Sequence, residues 1–428
     1  MLSITDRQTV YKEAIFMNKQ SNFHKFLLLW AGELISAVGG GLTSFGLGVY
    51  VFQQTGSAGS MALVTLLAFL PTLLLSVPAG VLADRYDRRL LMMLGDGCSA
   101  LGILYIFLCM MRGGAALWQI CLGVFTSSIF SALLEPSYRA TVTDLLTKEE
   151  YSKASGFVSL AGSARYLISP ALAGALLAVS DVKLLLVIDV CTFFPTVFAA
   201  AVVRKGIAKK AAEHQSSFMD SLRQGWQAVA GNQGILILMV VSAVLTCFMG
   251  AFQILAQPLI LDFAGSATLG IGETVCASGM LASSLFLGIR GIRRGHVRKL
   301  SMSLLVAGVC MAGFGLWENI YSICLFGFLF FAALPFANNC LDCLVRTNIS
   351  DEMQGRAWGL IGFLSQTGYV AAYGTAGAAA DGIAAGLGIG VGRGAAWVVI
   401  AAGVLLGLTA VILYLPKSVR TLEQEASC

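Results

Sequence analysis

Twelve apolar segments run through this chain, and nearly all are long enough to cross a bilayer as a helix. They fall at 26–52, 61–83, 89–111, 117–137, 154–178, 183–203, 235–261, 270–291, 299–317, 320–345, 356–379 and 395–415. A helix needs about 20 apolar residues to span roughly 30 Å of hydrocarbon. The runs are continuous and do not alternate, which argues against a membrane β-barrel. In lipid every backbone N–H and C=O must be paired within the protein. The expected fold is therefore an all-α membrane protein of twelve transmembrane helices. Composition closes off the soluble alternatives. Only 12% of the 428 residues are charged and the mean hydropathy is +0.80, against about 25% charged in an ordinary soluble domain.

The few charges are distributed unevenly. Of 28 Lys and Arg, 24 lie in the N-terminal segment or in connections that follow even-numbered spans. The other connections hold Arg112, Lys183 and Arg393, and Arg165 lies inside a span. Basic loops stay in the cytoplasm, so both termini are expected there. The first 25 residues are polar and carry no signal-peptide pattern; Met17 is a second candidate start, which would leave 1–16 unmade. A net charge of +5 without a basic stripe speaks against nucleic acid. No Gly-x-x-x-x-Gly-Lys-Ser/Thr loop for ATP occurs. Cys340 and Cys343 form a CxxC in an apolar run without a second pair, read as buried small side chains. No cofactor, metal cluster or nucleophile–base pair is expected, which argues against an enzyme.

The longest polar stretch, 204–232, separates six spans from six. The expected segments are a cytoplasmic 1–25, a six-helix bundle over 26–203, the linker 204–232, a second bundle over 233–416 and a tail over 417–428. Within the linker, Phe218, Leu222, Trp226 and Val229 recur at helical spacing, as in an amphipathic helix on the membrane surface. The halves repeat weakly. Span 4 ends around Pro136 and leads to Gly156; span 10 ends around Pro335 and leads to Gly359. Both cross in the same direction, which makes the repeat parallel and places a path between two pseudo-symmetric bundles.

Between spans 2 and 3 stand Gly80, Asp84, Arg85, Arg88 and Arg89. This resembles the Gly-x-x-x-Asp-Arg-x-Gly-Arg-Arg signature of the major facilitator superfamily. Five of six positions match, and Asp87 replaces the second Gly. Read locally, Gly80 permits close helix approach, and Asp84 can cap a helix or pair with an arginine. The resemblance implies a cytoplasmic latch; the plainer alternative is a topology determinant alone. The equivalent loop, Gly288 to His296, lacks the acid. Further stretches resemble the bacterial macrolide-efflux and enterobactin-exporter branch: Gly32-Glu33 with Ser36, Thr55 to Ser57, Glu135-Pro136, Ala154 to Gly156, and Ile188-Asp189 with Thr192-Phe193. Ser169, Pro170 and Gly174 partly resemble the span-5 antiporter signature, with Ser169 in place of a Gly. The resemblance implies a monomeric secondary transporter in a bacterial cytoplasmic membrane, exporting an amphipathic small molecule against protons by alternating access. The alternatives are a nutrient importer or symporter on the same fold, or a non-transporting receptor.

An ionisable group inside a span is costly, so it faces a cavity or a partner. Burial and a neighbouring guanidinium act in opposite directions on a carboxyl's proton affinity, so an acid that exchanges neighbours can couple a proton to cargo. Glu33 is the first candidate, equally open to a structural role as partner to an arginine or a hydroxyl; Asp189 and Asp96 follow, with helix–helix hydrogen bonding or pairing with the latch as their alternative. Arg165 reads as a counter-ion or a substrate ligand. Glu135, Asp342 and Arg346 near the ends of spans 4 and 10 read as paired charges. The small-residue runs, Gly39 to Gly41, Gly156 to Gly162 and Gly374 to Gly377, are expected to allow close helix packing. Residues 379–394 read as a connection.

Overall fold

The computed structural model describes residues 22–425, apart from 148–149, 205–222, 224–225, 228 and 293. The alternative start at Met17 and most of the 218–230 segment lie outside the described residues. Within that segment, 226–227 and 229–230 are helical, with Val229 buried and Trp226 exposed.

No strand occurs among the described residues. The first three spans are α1 (Phe23–Thr55), α2 (Ala58–Arg85) and α3 (Arg88–Met111). The fourth is α4 (Leu117–Ser131) continued by α5 (Leu134–Leu145), and the fifth is α6 (Tyr151–Leu167) continued by α7 (Ser169–Val179). The breaks fall just before Pro136 and Pro170, which cannot donate the backbone bond an unbroken helix needs. α8 (Val182–Arg204) completes the first bundle. The second holds α9 (Gln233–Leu261), α10 (Ser266–Arg290), α11 (His296–Leu316), α12 (Ile320–Thr347), α13 (Asp351–Leu387) and α14 (Val391–Tyr414). A short α15 (Lys417–Glu425) follows. Among the described residues, eleven spans are long and apolar enough to cross a membrane. The remaining one, α13, has 37 residues, but Ser365, Gln366, Tyr369 and Tyr373 make it the most polar.

One expectation is corrected here. Residues 379–394 are not a connection: α13 runs on to Leu387 and is stopped by Gly388 at φ 65°. Alanine has the highest helix propensity, and the Ala face is packed. A Cβ on Gly394 of α14 would lie 3.0 Å from the Ala384 side chain. Both cysteines of the CxxC are buried, as expected; Cys340 is free and Cys343 is disulfide-bonded.

Lipid gives helices little hydrophobic drive toward each other, so close packing of small residues has to hold them. Gly32 and Gly39 seat α1 on α8, with the Gly32 site 3.1 Å from the Thr196 backbone. Gly102 and Gly123 join α3 to α4, and Gly308 and Gly403 join α11 to α14. In the second bundle Phe252 stacks on Phe330 and tilts against Phe314, both at 4.5 Å between ring centres. One continuous core cluster crosses between the bundles. It does so through Leu42, Phe45, Val49, Ala58, Ala62, Ala173 and Leu185 of the first, all in the part of the spans away from the basic loops.

Candidate functional site: a cleft between the bundles

The two bundles meet at the face opposite the basic loops and part toward the basic face. Four seams close the far end. Gly377 of α13 lies against Ala58 and Ala62 of α2. Gly174 and Pro170 of α7 lie against Ser266 and Gly270 of α10. Gly48 of α1 receives the Gln257 carboxamide of α9. Asp381 of α13 accepts hydrogen bonds from Ser57, Ala58 and Gly59 at the start of α2. Deeper in, Thr274 Oγ1 donates to the Leu167 carbonyl at 3.0 Å. The Phe69 ring packs 5.8 Å from Tyr369 and 5.6 Å from Tyr373. Those tyrosines form the floor of a cleft. Tyr373 Oη donates to Gln253 Oε1 at 3.0 Å, and Tyr369 Oη to Met249 Sδ at 3.2 Å. Beyond them the bundles separate: Gly156 and Gly162 of α6 and Gly359 and Gly362 of α13 have no neighbouring atoms where a side chain would stand.

The three candidate acids come together on the first-bundle wall. Asp189 of α8 is 2% exposed. It takes a long hydrogen bond from Thr192 Oγ1 to Oδ1, 3.5 Å, and occupies the space that the missing Gly39 side chain leaves in α1. Asp96 of α3 is 3% exposed with Oδ2 unpartnered, and lies within electrostatic range of both Glu33 and Asp189. Glu33 of α1 has a buried Oε2 without a partner. Two further buried hydroxyls, Thr43 Oγ1 and Tyr138 Oη, are also unpartnered; Tyr138 faces Glu33 and Thr43 faces Asp189. Arg165 of α6 is exposed to the cleft. Its charge reaches Glu33, Asp189 and Tyr373, yet among the described residues it forms no ion pair. The wall thus holds three carboxyls and one guanidinium beside them.

The remaining candidates divide. Glu135 pairs with Arg139 at 2.8 Å on an exposed face. Asp342 and Arg346 are also exposed, and the Arg346 guanidinium stacks 5.8 Å over Trp358. Ser169, Pro170 and Gly174 form a hub: Ser169 Oγ donates to the Val38 carbonyl of α1 at 3.0 Å, while Pro170 and Gly174 meet α10. The serine that departs from the family glycine is therefore used as a bond to α1. A cleft of about 530 Å³ at the opposite face, bordered by Tyr50, Gln53, Asp181 and Lys183, contains none of the candidate acids.

At the basic face the Asp84–Arg89 cluster forms its ion pairs within the first bundle. Arg88 pairs with Asp144 at 2.9 Å and Asp84 at 3.6 Å, and donates to the Ala83 and Ala140 carbonyls. Arg89 is buried and lies 3.6 Å from Asp144. Arg85 is exposed without an ion pair among the described residues. Asp87, not Asp84, caps the next helix through the Arg89 N–H at 3.1 Å, and binds Arg204 Nε at 2.8 Å. Burial raises its carboxyl, but the Arg204 hydrogen bond, the Arg89 N–H and both charges outweigh this and hold it below the usual carboxylate range. Gly80 does not bring helices together: a Cβ there would meet nothing. The same correction applies to Gly156, Gly162 and Gly374, because those positions face the space between the parted bundles or the exterior.

Sequence reasoning missed Asp144, Asp381 and the Tyr369–Tyr373 pair. Tyr369 and Tyr373 are spaced i, i+4 in the most polar span, and Asp381 is the lone acid in a Gly/Ala run. Both were available signals.

Two bundles of six helices around a cleft are the frame of a membrane transporter. The Major Facilitator Superfamily model matches residues 29–373, and the chain belongs to that family. Macrolide efflux protein A of Streptococcus pyogenes is 26% identical over 356 residues, covering 81% of this chain and 87% of that protein. Macrolide efflux protein A of Enterococcus faecalis is 25% identical over 308 residues, 70% and 94%. In three dimensions the chain is similar to a bacterial homologue of the iron transporter ferroportin in its inward-facing state, with a TM-score of 0.72 at 16% identity over 93% of this chain and all of that one. The outward-facing state of a ferroportin homologue gives 0.57. The chain is a multi-pass bacterial-type membrane transporter resembling the macrolide-efflux branch, and not an enzyme.

Proposed function

We propose that this transporter exports an amphipathic small molecule in exchange for protons by alternating access, with both termini and the basic face in the cytoplasm. The single observation that carries the reading is the acidic wall. Three carboxyls on α1, α3 and α8 are buried together within the wall of a cleft that is sealed at the far end and open at the basic end. Two of them keep a buried oxygen without a partner. An unpartnered buried carboxyl oxygen is costly and is offset when a proton or a cationic cargo arrives. Arg165 competes for the same acids. The Phe69–Tyr369–Tyr373 floor supplies flat apolar surface with hydroxyl edges, as ligand pockets do. The similarity to macrolide efflux proteins supports the direction and the cargo class. The parted basic face supports loading from that side, and the family's mechanism needs no ATP.

The test is substrate-triggered proton movement in inside-out vesicles with an acidic lumen. Macrolides, dyes and siderophores are added to vesicles carrying wild type or Glu33→Gln. Export predicts that at least one compound releases the gradient through the wild type and not the variant. Release through both would leave antiport standing and pass the coupling role to Asp189. No release with any compound, under protons or sodium, would sink the export reading.

A further inference from the structure

We propose that Asp381 is a positioning residue that holds the carrier open toward the basic face, by clamping the first turn of α2 from the opposite bundle. The inference rests on the alternating-access reading above.

The geometry is specific. Asp381 Oδ2 accepts from Ser57 Oγ at 2.6 Å and from Gly59 N at 2.9 Å, while Oδ1 accepts from Ala58 N at 2.9 Å. The first N–H groups of a helix have no partner inside it and carry the positive end of its dipole. α2 has no acid in its own first turn, and the Ser57 side chain covers Ser60 N at 3.0 Å. Asp381 supplies the missing negative charge, and hydrogen bonds to an ionised acceptor are the strong ones. Among the described residues it is the one ionised side chain that hydrogen-bonds across the bundles, and it has no basic partner there.

The backbone is shaped to let this happen. A Cβ on Gly59 would stand 2.9 Å from Asp381 Oδ2, and one on Gly377, a turn earlier on α13, would strike the Ala58 carbonyl. The extension of α13 past 379 is what carries Asp381 to this place. If the bundles rock, the seam opens and all three bonds are lost together, so the clamp acts on the difference between the two states. A group with equal interactions in both would shift nothing. Losing three charge-assisted bonds from one state is expected to change the ratio of states by about tenfold or more.

Hydrogen–deuterium exchange on the full-length protein in lipid nanodiscs reads both ends at once. Asp381→Ala should raise exchange at residues 57–62 about tenfold or more. It should also slow exchange at 157–166 and 359–366, which face the open end and become covered when that end closes. Asp381→Asn keeps acceptors on one side only and should shift both regions less, in the same directions. Ser57→Ala should shift them least, and these two variants decide the matter if Asp381→Ala does not fold. A rise confined to 57–62 overturns the proposal, since that is what a merely local cap would give. Gly270→Val, which strains the separate α7–α10 seam, is the control. If it slows the open-end segments and the Asp381 variants do not, the clamp falls and alternation stands. If no variant moves them, the alternating-access reading falls and the clamp with it.

Discussion

The two ends of the molecule use the same residue types to opposite effect. At the far end Gly174, Gly270 and Gly377 are filled by atoms of the other bundle; at the basic end Gly80, Gly156, Gly162, Gly359 and Gly362 meet nothing. The charges differ in the same way. Asp381 reaches across the bundles, whereas Arg88, Arg89 and Asp144 pair within one. Glycine in a helix interior costs about 0.5–1 kcal/mol relative to alanine. A glycine that packs against another helix offsets that cost in this state. One that faces open space does not, and on the alternating-access reading its contact belongs to the other state. A small residue in a span therefore reports a close approach only together with the conformation in which it is seen.

The largest effect expected from this contrast is at the filled end. Gly270→Val places two methyl groups where the Pro170 carbonyl already stands. Overpacking of this kind costs about 1–3 kcal/mol, read as a lower thermal midpoint by intrinsic fluorescence. Valine at Gly80 should leave the midpoint nearly unchanged. Equal losses at both positions would break the comparison.

Within the basic-end cluster the expected effects do not exceed this. Asp144→Asn removes the shared anion of Arg88 and of the buried Arg89, whose Nε and Nη2 already lack hydrogen-bond partners. A loss of about 2 kcal/mol follows from leaving a largely buried cation uncompensated. Because the cluster is contained in one bundle, this loss should appear in stability without moving exchange at 57–62. Asp87→Asn keeps a capping side chain and removes only the Arg204 ion pair. That pair is half-exposed, so the expected loss is about 0.5 kcal/mol. Its folded-state carboxyl is depressed, so its stabilisation is complete above the ordinary carboxylate pKa and disappears as pH falls through the lowered value. Midpoints of wild type and Asp87→Asn should differ at pH 7 and converge in acid.

Much of this was legible in the sequence, for physical reasons. Span number followed from apolar run length, since lipid tolerates little else. Glu33, Asp96 and Asp189 stood out because an acid in hydrocarbon needs a reason, and the fold does bring them to one wall. Asp87, which looked like a departure from the family pattern, is a cap and an ion-pair partner; its spacing before α3 carried that information. What stayed hidden depends on which surfaces meet. Nothing local distinguishes Gly377, which packs, from Gly374, which does not. Asp381 was masked by hydropathy: an Ala/Gly helix end and a loop look alike until a neighbour covers one face.

The smallest expected change in stability is also the sharpest test of the comparison. Gly156→Val and Gly162→Val enter open space on α6, so their steric cost in this state is nil. Valine is also a somewhat better helix former than glycine, by a few tenths of a kcal/mol. The thermal midpoint should hold or rise slightly. If the basic end closes during the cycle, the same methyl groups meet the second bundle, and the closed state loses population. Gradient release in the vesicle assay should then slow several-fold, while cargo binding from the basic face stays as tight or tightens. Unchanged turnover in both variants would mean that this face of α6 never meets the second bundle. The glycines there would then be a cost without a second state to offset it.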